Sequence, residues 1–252
     1  MYRLLTLLMG VLAATAAQAD ERWQGAYIGL SAGRFEADSK WTTTQMGFAD
    51  PATICAPNIA PACFSSPEAN LGAQGPYAAG HVGYNWAVGQ WFLLGLEAGA
   101  GYTNAESNTI PYTPGWFDQA QNDRISAKYG WNASLVGRAG FTAGPVLLYG
   151  LAGPSWQKMT IDYQCLGTGT GTDSFCSSPQ SDSRSDVRFG WVAGGGIEVR
   201  LATHWTTRID YRYARYKTQD HTFFGDSANG EVVFARTTLN TTLFTLGVSY
   251  RF

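Results

Sequence analysis

The chain ends Leu243-Phe244-Thr245-Leu246-Gly247-Val248-Ser249-Tyr250-Arg251-Phe252, and this stretch decides how the rest is read. Taken in steps of two from the last residue, Phe252, Tyr250, Val248, Leu246, Phe244 and Thr242 form one set. Arg251, Ser249, Gly247, Thr245, Leu243 and Thr241 form the other. The first set is apolar and aromatic; the second is small or polar, with Leu243 the exception. A period of two is the mark of a β-strand whose two faces meet different surroundings. It predicts a strand over residues 237–252.

Working outward, the amino end carries Arg3, an apolar centre over residues 4–14 and the small-residue step Ala17-Gln18-Ala19 before Asp20. That is the layout of a secretory signal peptide, residues 1–19, cleaved after Ala19. Residues 20–252 are then one domain. No later stretch approaches the roughly 18 consecutive apolar residues of a spanning helix. A chain that crosses a membrane without such a helix has to cross as a barrel, the other structure that satisfies every backbone group in lipid.

Composition points the same way. There are 30 Gly, 9 Trp, 13 Tyr and 13 Phe, with only 14% charged residues and a net charge of −2. Such a charge offers no basic patch for nucleic acid. Cysteines of an exported protein are oxidised as a rule. Cys55, Cys63, Cys165 and Cys176 allow three pairings, and their spacing favours two local loops, Cys55–Cys63 and Cys165–Cys176. A metal site would want shorter Cys-x-x-Cys steps or neighbouring histidines.

The same alternation recurs along the chain. It predicts strands over residues 23–33, 76–86, 92–102, 125–141, 146–161, 187–201 and 205–213 before the last one. The cleanest is 125–141, where Ala127, Tyr129, Trp131, Ala133, Leu135, Ala139 and Phe141 oppose Lys128, Gly130, Asn132, Ser134, Arg138 and Gly140. The least clear is 146–161, where Val146, Leu147 and Leu148 blur the parity and Pro154 cannot donate to a ladder. Between the strands, 37–74, 103–124, 162–185 and 217–236 read as long polar loops. Prolines 51, 57, 61 and 67 argue against regular strand in the first of them.

Eight strands with connections alternating long and short give an all-β fold, a transmembrane antiparallel eight-stranded up-and-down barrel. Its turns are periplasmic and short, and its four long loops extracellular. A soluble eight-stranded barrel would put apolar residues inside and charges outside. Here Glu97, Lys128, Arg138, Arg188, Glu198, Arg200, Arg208, Asp210 and Arg212 fall opposite the aromatic face, as does most of the glycine. Aromatics near strand ends (Trp23, Trp86, Trp91, Trp205, Tyr250, Phe252) read as interfacial girdles.

Several of these stretches also carry a resemblance: Trp23-x-Gly-x-Tyr-x-Gly29, Gly194-Gly-Gly-Ile-Glu198, Asp210-Tyr-Arg-Tyr213 and Gly247-Val-x-Tyr-x-Phe252. They look like the small eight-stranded surface antigens of alphaproteobacteria, often called porin family, which are similar in fold to the neisserial opacity proteins and the OmpA membrane domain. The resemblance spans the whole mature chain and speaks to architecture more than to activity. It implies residence in the outer membrane, in contact with lipopolysaccharide. It also implies that Phe252, with Tyr250, is the terminal signal read by the barrel-assembly machinery.

Chemistry is sparse. Charges pointing into so narrow a barrel read as a salt-bridge network filling it, with acids from the strands at 92–102, 187–201 and 205–213 facing bases from 125–141, 187–201 and 205–213. His81, Ser134 and Glu97 all read inward, away from lipid, and no catalytic spacing ties them together. No enzyme and no cofactor is therefore expected. Some relatives of the family bind hemin, and His221, beside Phe223 and Phe224, is the one histidine placed to reach an external ligand. A lone imidazole in a hydrated loop makes a weak site. Specificity for a host or matrix ligand should then live in the loops; Trp41, Phe48 and Phe64 in the first are candidate contacts. The reading is a structural surface protein serving envelope integrity and surface contact, with a ligand receptor or a narrow diffusion channel as rivals. Deleting Phe252 should impair outer-membrane assembly; normal heat-modifiable migration of the truncated protein in membranes would refute this.

Overall fold

The computed structural model describes residues 23–47, 54–55, 68–108, 110–111, 123–165, 179–226 and 232–252. The signal peptide expected over 1–19 lies outside the described residues, as do Pro51, Pro57, Pro61 and Pro67. Among the described residues twelve strands form one sheet. They are β1 (Gly25–Gly47), β2 (Ile54–Cys55), β3 (Glu68–Asn70), β4 (Ala73–Val88), β5 (Phe92–Thr103), β6 (Ile110–Pro111), β7 (Arg124–Ala143), β8 (Val146–Cys165), β9 (Gln180–Arg200), β10 (Trp205–Tyr216), β11 (Gln219–Phe223) and β12 (Val232–Arg251).

Eight of these, β1, β4, β5, β7, β8, β9, β10 and β12, each run antiparallel to the next. The last of them pairs back onto the first, from Tyr27 opposite Arg251 out to Gly47 opposite Val232. The ring is closed, so its strands leave no edge along the barrel. The short β2, β3, β6 and β11 add to its outer end. The turns at Gly89 and Gly144 have φ of 71° and 59°, a region glycine enters without steric penalty. They share one end of the barrel with Trp23, whose Nε1 donates to Gly144 O at 3.3 Å, and with Phe252, whose N donates to Ala26 O at 3.0 Å.

The strands are much longer than the alternation suggested. A barrel strand needs about 9–11 residues to cross a bilayer, and β1 alone has 23. The extra length is built on a reversed pattern. In the turn-side half the outward residues are apolar (Ile28, Leu30, Val82, Leu94, Leu96, Leu135, Ile209, Leu246, Val248) and the inward ones polar or glycine. Farther out on β1, Arg34, Glu36, Asp38 and Lys40 face outward, while Phe35, Ala37 and Trp41 are buried inside.

The outer half is thus a water-soluble barrel stacked on a membrane one. Its core gathers Phe35, Trp41, Leu71, Ile125, Tyr129, Met159, Ile161, Tyr163, Phe223, Phe224, Val233 and Leu239. The Trp41 ring packs at a tilt against Phe223, 5.2 Å between centroids, and Tyr163, 6.1 Å, and Tyr129 donates its hydroxyl to Leu71 O at 2.8 Å. Leu243, the exception in the closing strand, packs against this core from the level where the pattern changes.

Three expectations therefore change. Large parts of the stretches read as loops are strand, including residues 37–47, 162–165, 180–185 and 232–236. Trp41 is fully buried and is no contact surface; Phe48 and Phe64 lie outside the described residues. Trp23 is buried inside the turn-side mouth, whereas Trp86, Trp91, Trp205 and Phe252 are exposed as girdle residues should be. The blurred parity of β8 also resolves, since Leu147 is buried inward and Leu148 faces outward.

Replacing Trp41 with Ala should cost about 3–5 kcal/mol of local packing in the outer half. Faster amide exchange in the outer parts of β1, β8 and β11, with heat-modifiable migration of the barrel retained, is the expected result.

Candidate functional site in the lumen

Glycine makes the room in which the lumen charges meet. A Cβ on Gly83 would overlap the Tyr27 hydroxyl, and one on Gly101 the Tyr77 ring. With those positions bare, the tyrosines lie flat across the neighbouring strands and leave the centre to longer side chains.

Glu97 of β5 stands in the middle, with its side chain wholly buried. Arg208 grips it with two nitrogens, Nη1 to Oε2 at 2.7 Å and Nη2 to Oε1 at 3.1 Å. Arg212 Nη2 donates to Oε1 at 2.7 Å, and Arg138 Nη1 lies 3.3 Å from Oε2. Tyr27 donates its hydroxyl to Oε2 at 2.9 Å while accepting from Arg138 Nη1 at 2.6 Å. A carboxylate accepts several such bonds at once, and one that faced the lumen alone would be prohibitively costly.

The network spreads from there. Arg138 Nη2 reaches Glu198 Oε2 at 3.0 Å, and its guanidinium lies 3.9 Å from the Tyr149 ring centroid. Tyr149 donates to Asp210 Oδ1 at 2.5 Å, and Arg208 Nε donates to Asp210 Oδ2 at 2.6 Å. Thr206 and Arg251 complete Glu198, the latter at 3.6 Å. Arg251 and Arg200 both stack on Trp23, the floor of the lumen, at 5.2 and 4.9 Å. Arg251, Tyr27 and Tyr149 were missed from sequence. Arg251 does share the polar parity of the closing strand, and that was the signal available.

Beyond this plug, toward the outer end, lies a cavity of about 40 Å³ lined by His81, Tyr77, Asn132, Ser134, Arg212 and Tyr216 among others. It has room for a few waters. His81 Nε2 is 2.9 Å from Ser249 Oγ, while its buried Nδ1 has no partner. A catalytic triad needs an acid on that second nitrogen. Ser134 lines the cavity without bonding to His81.

Two expected members of the network lie elsewhere. Lys128 points outward from β7, its Nζ 3.2 Å from Asp162 and 3.7 Å from Glu106. The cause is a bulge between Tyr129 and Asn132, which turns the outer part of β7 over relative to its inner part. Arg188 is buried inward as expected but in the outer half, bonded to Asp186 at 3.2 Å and to Thr237.

His221 joins Arg188 there and is buried. Its Nε2 accepts from Arg188 Nη2 at 3.1 Å, and Nδ1 lies 3.7 Å from Asp186. Burial lowers its pKa below the ordinary imidazole value; Asp186 opposes the shift and Arg188 adds to it. The expected loop histidine open to hemin is instead a packed side chain whose Nε2 is bonded to Arg188 and Thr237. Among the described residues no cluster of His, Cys, Asp or Glu could hold a metal ion. Cys165 is disulfide-bonded. The side chains of Cys55, Cys63 and Cys176 lie outside the described residues, so the expected pairings fall there too.

The family described as "Outer membrane protein beta-barrel domain" matches residues 4–252. The "22 kDa outer membrane protein" of Rhizobium leguminosarum bv. viciae is 34% identical over 140 residues, 56% of this chain and 52% of that protein. The "25 kDa outer-membrane immunogenic protein" of Brucella melitensis is 27% identical over 175 residues, 69% of this chain and 65% of that one. The chain thus spans between half and two thirds of these relatives' length. Among solved structures, the outer membrane protease OmpT of Escherichia coli superposes with a TM-score of 0.52 at 9% identity, covering 90% of this chain and 97% of that one. OprG of Pseudomonas aeruginosa gives 0.50 at 13%, covering 91% and 96%. At such identities the likeness concerns the fold alone.

Replacing Glu97 with Gln would leave Arg208, Arg212 and Arg138 without their shared counter-charge. Losing one partner of a buried ion pair costs about 3–5 kcal/mol. A fall of that order should appear in reversible urea unfolding from lipid vesicles, with an unchanged midpoint as the contrary result.

Proposed function

We propose, given that the chain belongs to the outer membrane protein beta-barrel family, that it is a closed, non-enzymatic barrel. Its work is then mechanical and external: it contributes to envelope integrity and presents its loops for surface contact. That it is a surface protein of the outer membrane is the premise; the rest is our reading.

The observation that carries this reading is a lumen blocked at two levels. The Glu97 network fills the inner half, and the core around Trp41, Tyr129, Tyr163 and Phe223 fills the outer half. A diffusion channel would need a continuous wet path, and the side chains of both plugs stand across it. The His81–Ser249 contact lies between them, with both residues buried. The Brucella relatives are described as immunogenic, which supports display at the cell surface.

Purified protein in planar bilayers should give no stepwise conductance, and reproducible channels would defeat the closed-barrel reading. Replacing residues 48–67 with a short Gly/Ser linker should abolish binding to host cells or matrix while heat-modifiable migration persists. Undiminished cell binding would remove the surface-contact part.

A further inference from the structure

The outer rim of the apolar band carries a groove that neither plug uses. Outward residues on β5 and β7 change from Leu96 and Leu135 to Tyr102 and Trp131, both exposed. One step farther out the surface becomes polar and charged: Asn104, Glu106, Lys128, Lys158, Thr160 and Asp162. A groove of about 300 Å³ opens at this boundary, lined by Tyr102, Asn104, Glu106, Lys128, Trp131 and Lys158 among others.

The β7 bulge builds it. The extra residue between Tyr129 and Asn132 brings Lys128 and Trp131 to the same outer face, three positions apart. Gly130 lies between them, and the stem of Lys158 runs over it, 3.8 Å from where a Cβ would stand. Lys128 is held between Asp162 at 3.2 Å and Glu106 at 3.7 Å, about half exposed. The Lys158 ammonium meets no carboxylate among the described residues. The groove therefore offers one free ammonium, one shared ammonium, the Glu106 carboxylate and two aromatic faces, with the Asp162 carboxylate beside it on Lys128.

What meets a barrel at this depth on its outer side is the headgroup layer of the outer leaflet. A phosphorylated sugar headgroup matches each part of the groove. Ammonium groups take phosphate, and carboxylates hold the divalent cations that accompany clustered phosphates. Aromatic rings at the interface lie against the sugar and the shoulders of the acyl chains. A zwitterionic or simple anionic glycerolipid would satisfy the lysines and leave the rest idle. We propose that this groove is a binding site for the phosphorylated headgroup of a lipid A-type glycolipid, with Lys158 and Lys128 on phosphate and Trp131 and Tyr102 against the sugar. The site is on the outer wall and independent of what the loops contact.

The test is native mass spectrometry of the full mature protein, folded in detergent, titrated with diphosphoryl lipid A in the presence of magnesium. Lys128→Ala/Lys158→Ala should weaken binding roughly ten-fold or more. A control pair on the outward face of β1, Arg34→Ala/Lys40→Ala, should leave it unchanged. Removing the phosphates from the lipid should weaken binding to wild type and erase the difference between wild type and the double variant. Phosphatidylglycerol at equal concentration should not displace the glycolipid. Equal binding by all three proteins would overturn the proposal, and so would equal displacement by phosphatidylglycerol. Both pairs of lysine and arginine sit on the exposed surface, and heat-modifiable migration confirms that each variant is folded. The single change Lys158→Glu, which reverses the free charge, provides a second reading of the same contact.

Discussion

Every long strand of this barrel passes from hydrocarbon into water part way along its length, and the rest of the structure answers that change. A strand without a bulge keeps its parity, so the outward set stays outward while the medium it meets is exchanged. In lipid the outward residues must be apolar and the enclosed ones take the polar role. In water burial of apolar surface drives the arrangement the other way. On β1 the exchange falls at Gly33 and Arg34: Leu30 faces outward before it, and Phe35 is buried inward after it. On β12 it falls at Leu243.

Below the exchange, an eight-stranded barrel has room for side chains and little else. Three carboxylates and the four guanidiniums ion-paired to them share that space, and each carboxylate is bound by more than one donor. Buried ion pairs seldom gain over well-packed apolar residues. Their use here follows from the outer face. A wall that is apolar toward lipid would lose its inside–outside distinction if the lumen were apolar too, and strand register rests on that distinction. The charges specify which face turns in.

The sequence made the membrane half legible and concealed the other. Period-two alternation with charges opposite aromatics located all eight strands and the closure of the barrel. What it could not display was the exchange of media, because a polar residue facing water looks the same as one in a loop. The first strand therefore read as ending at Gly33 and Ala37 to Lys40 as the start of a loop, though the alternation is intact across both. The β7 strand is the sharpest case. There the bulge reverses the parity at the same place as the media exchange, and the two reversals cancel. Ala127, Tyr129, Trp131 and Leu135 look like one continuous face, yet the first two are buried inside and the last two face lipid. The apparent regularity hid the misplacement of Lys128. His221 was misread for a related reason: it lies on an outer strand, β11, that pairs with β12 and faces a buried arginine.

The outer half also sets how far the strand ends stand from the membrane. From Arg34 to Gly47 β1 continues past the apolar band for 14 residues. At the usual rise that is about 45 Å along the strand, and at the usual tilt of about 40° it is about 35 Å of height. The core around Trp41 stiffens this column, and exposed pairs such as Arg236–Asp220 face the water around it. A rigid column of that height carries the strand ends beyond the lipid headgroups. Contacts at those ends can vary without disturbing the Glu97 network, because the outer core lies between them and the lumen. Contacts on the wall at the headgroup layer, where Lys158 and Trp131 face outward, belong to the membrane itself. The two surfaces are separated by height along the same strands, so the barrel can be anchored by one set of residues and read by another.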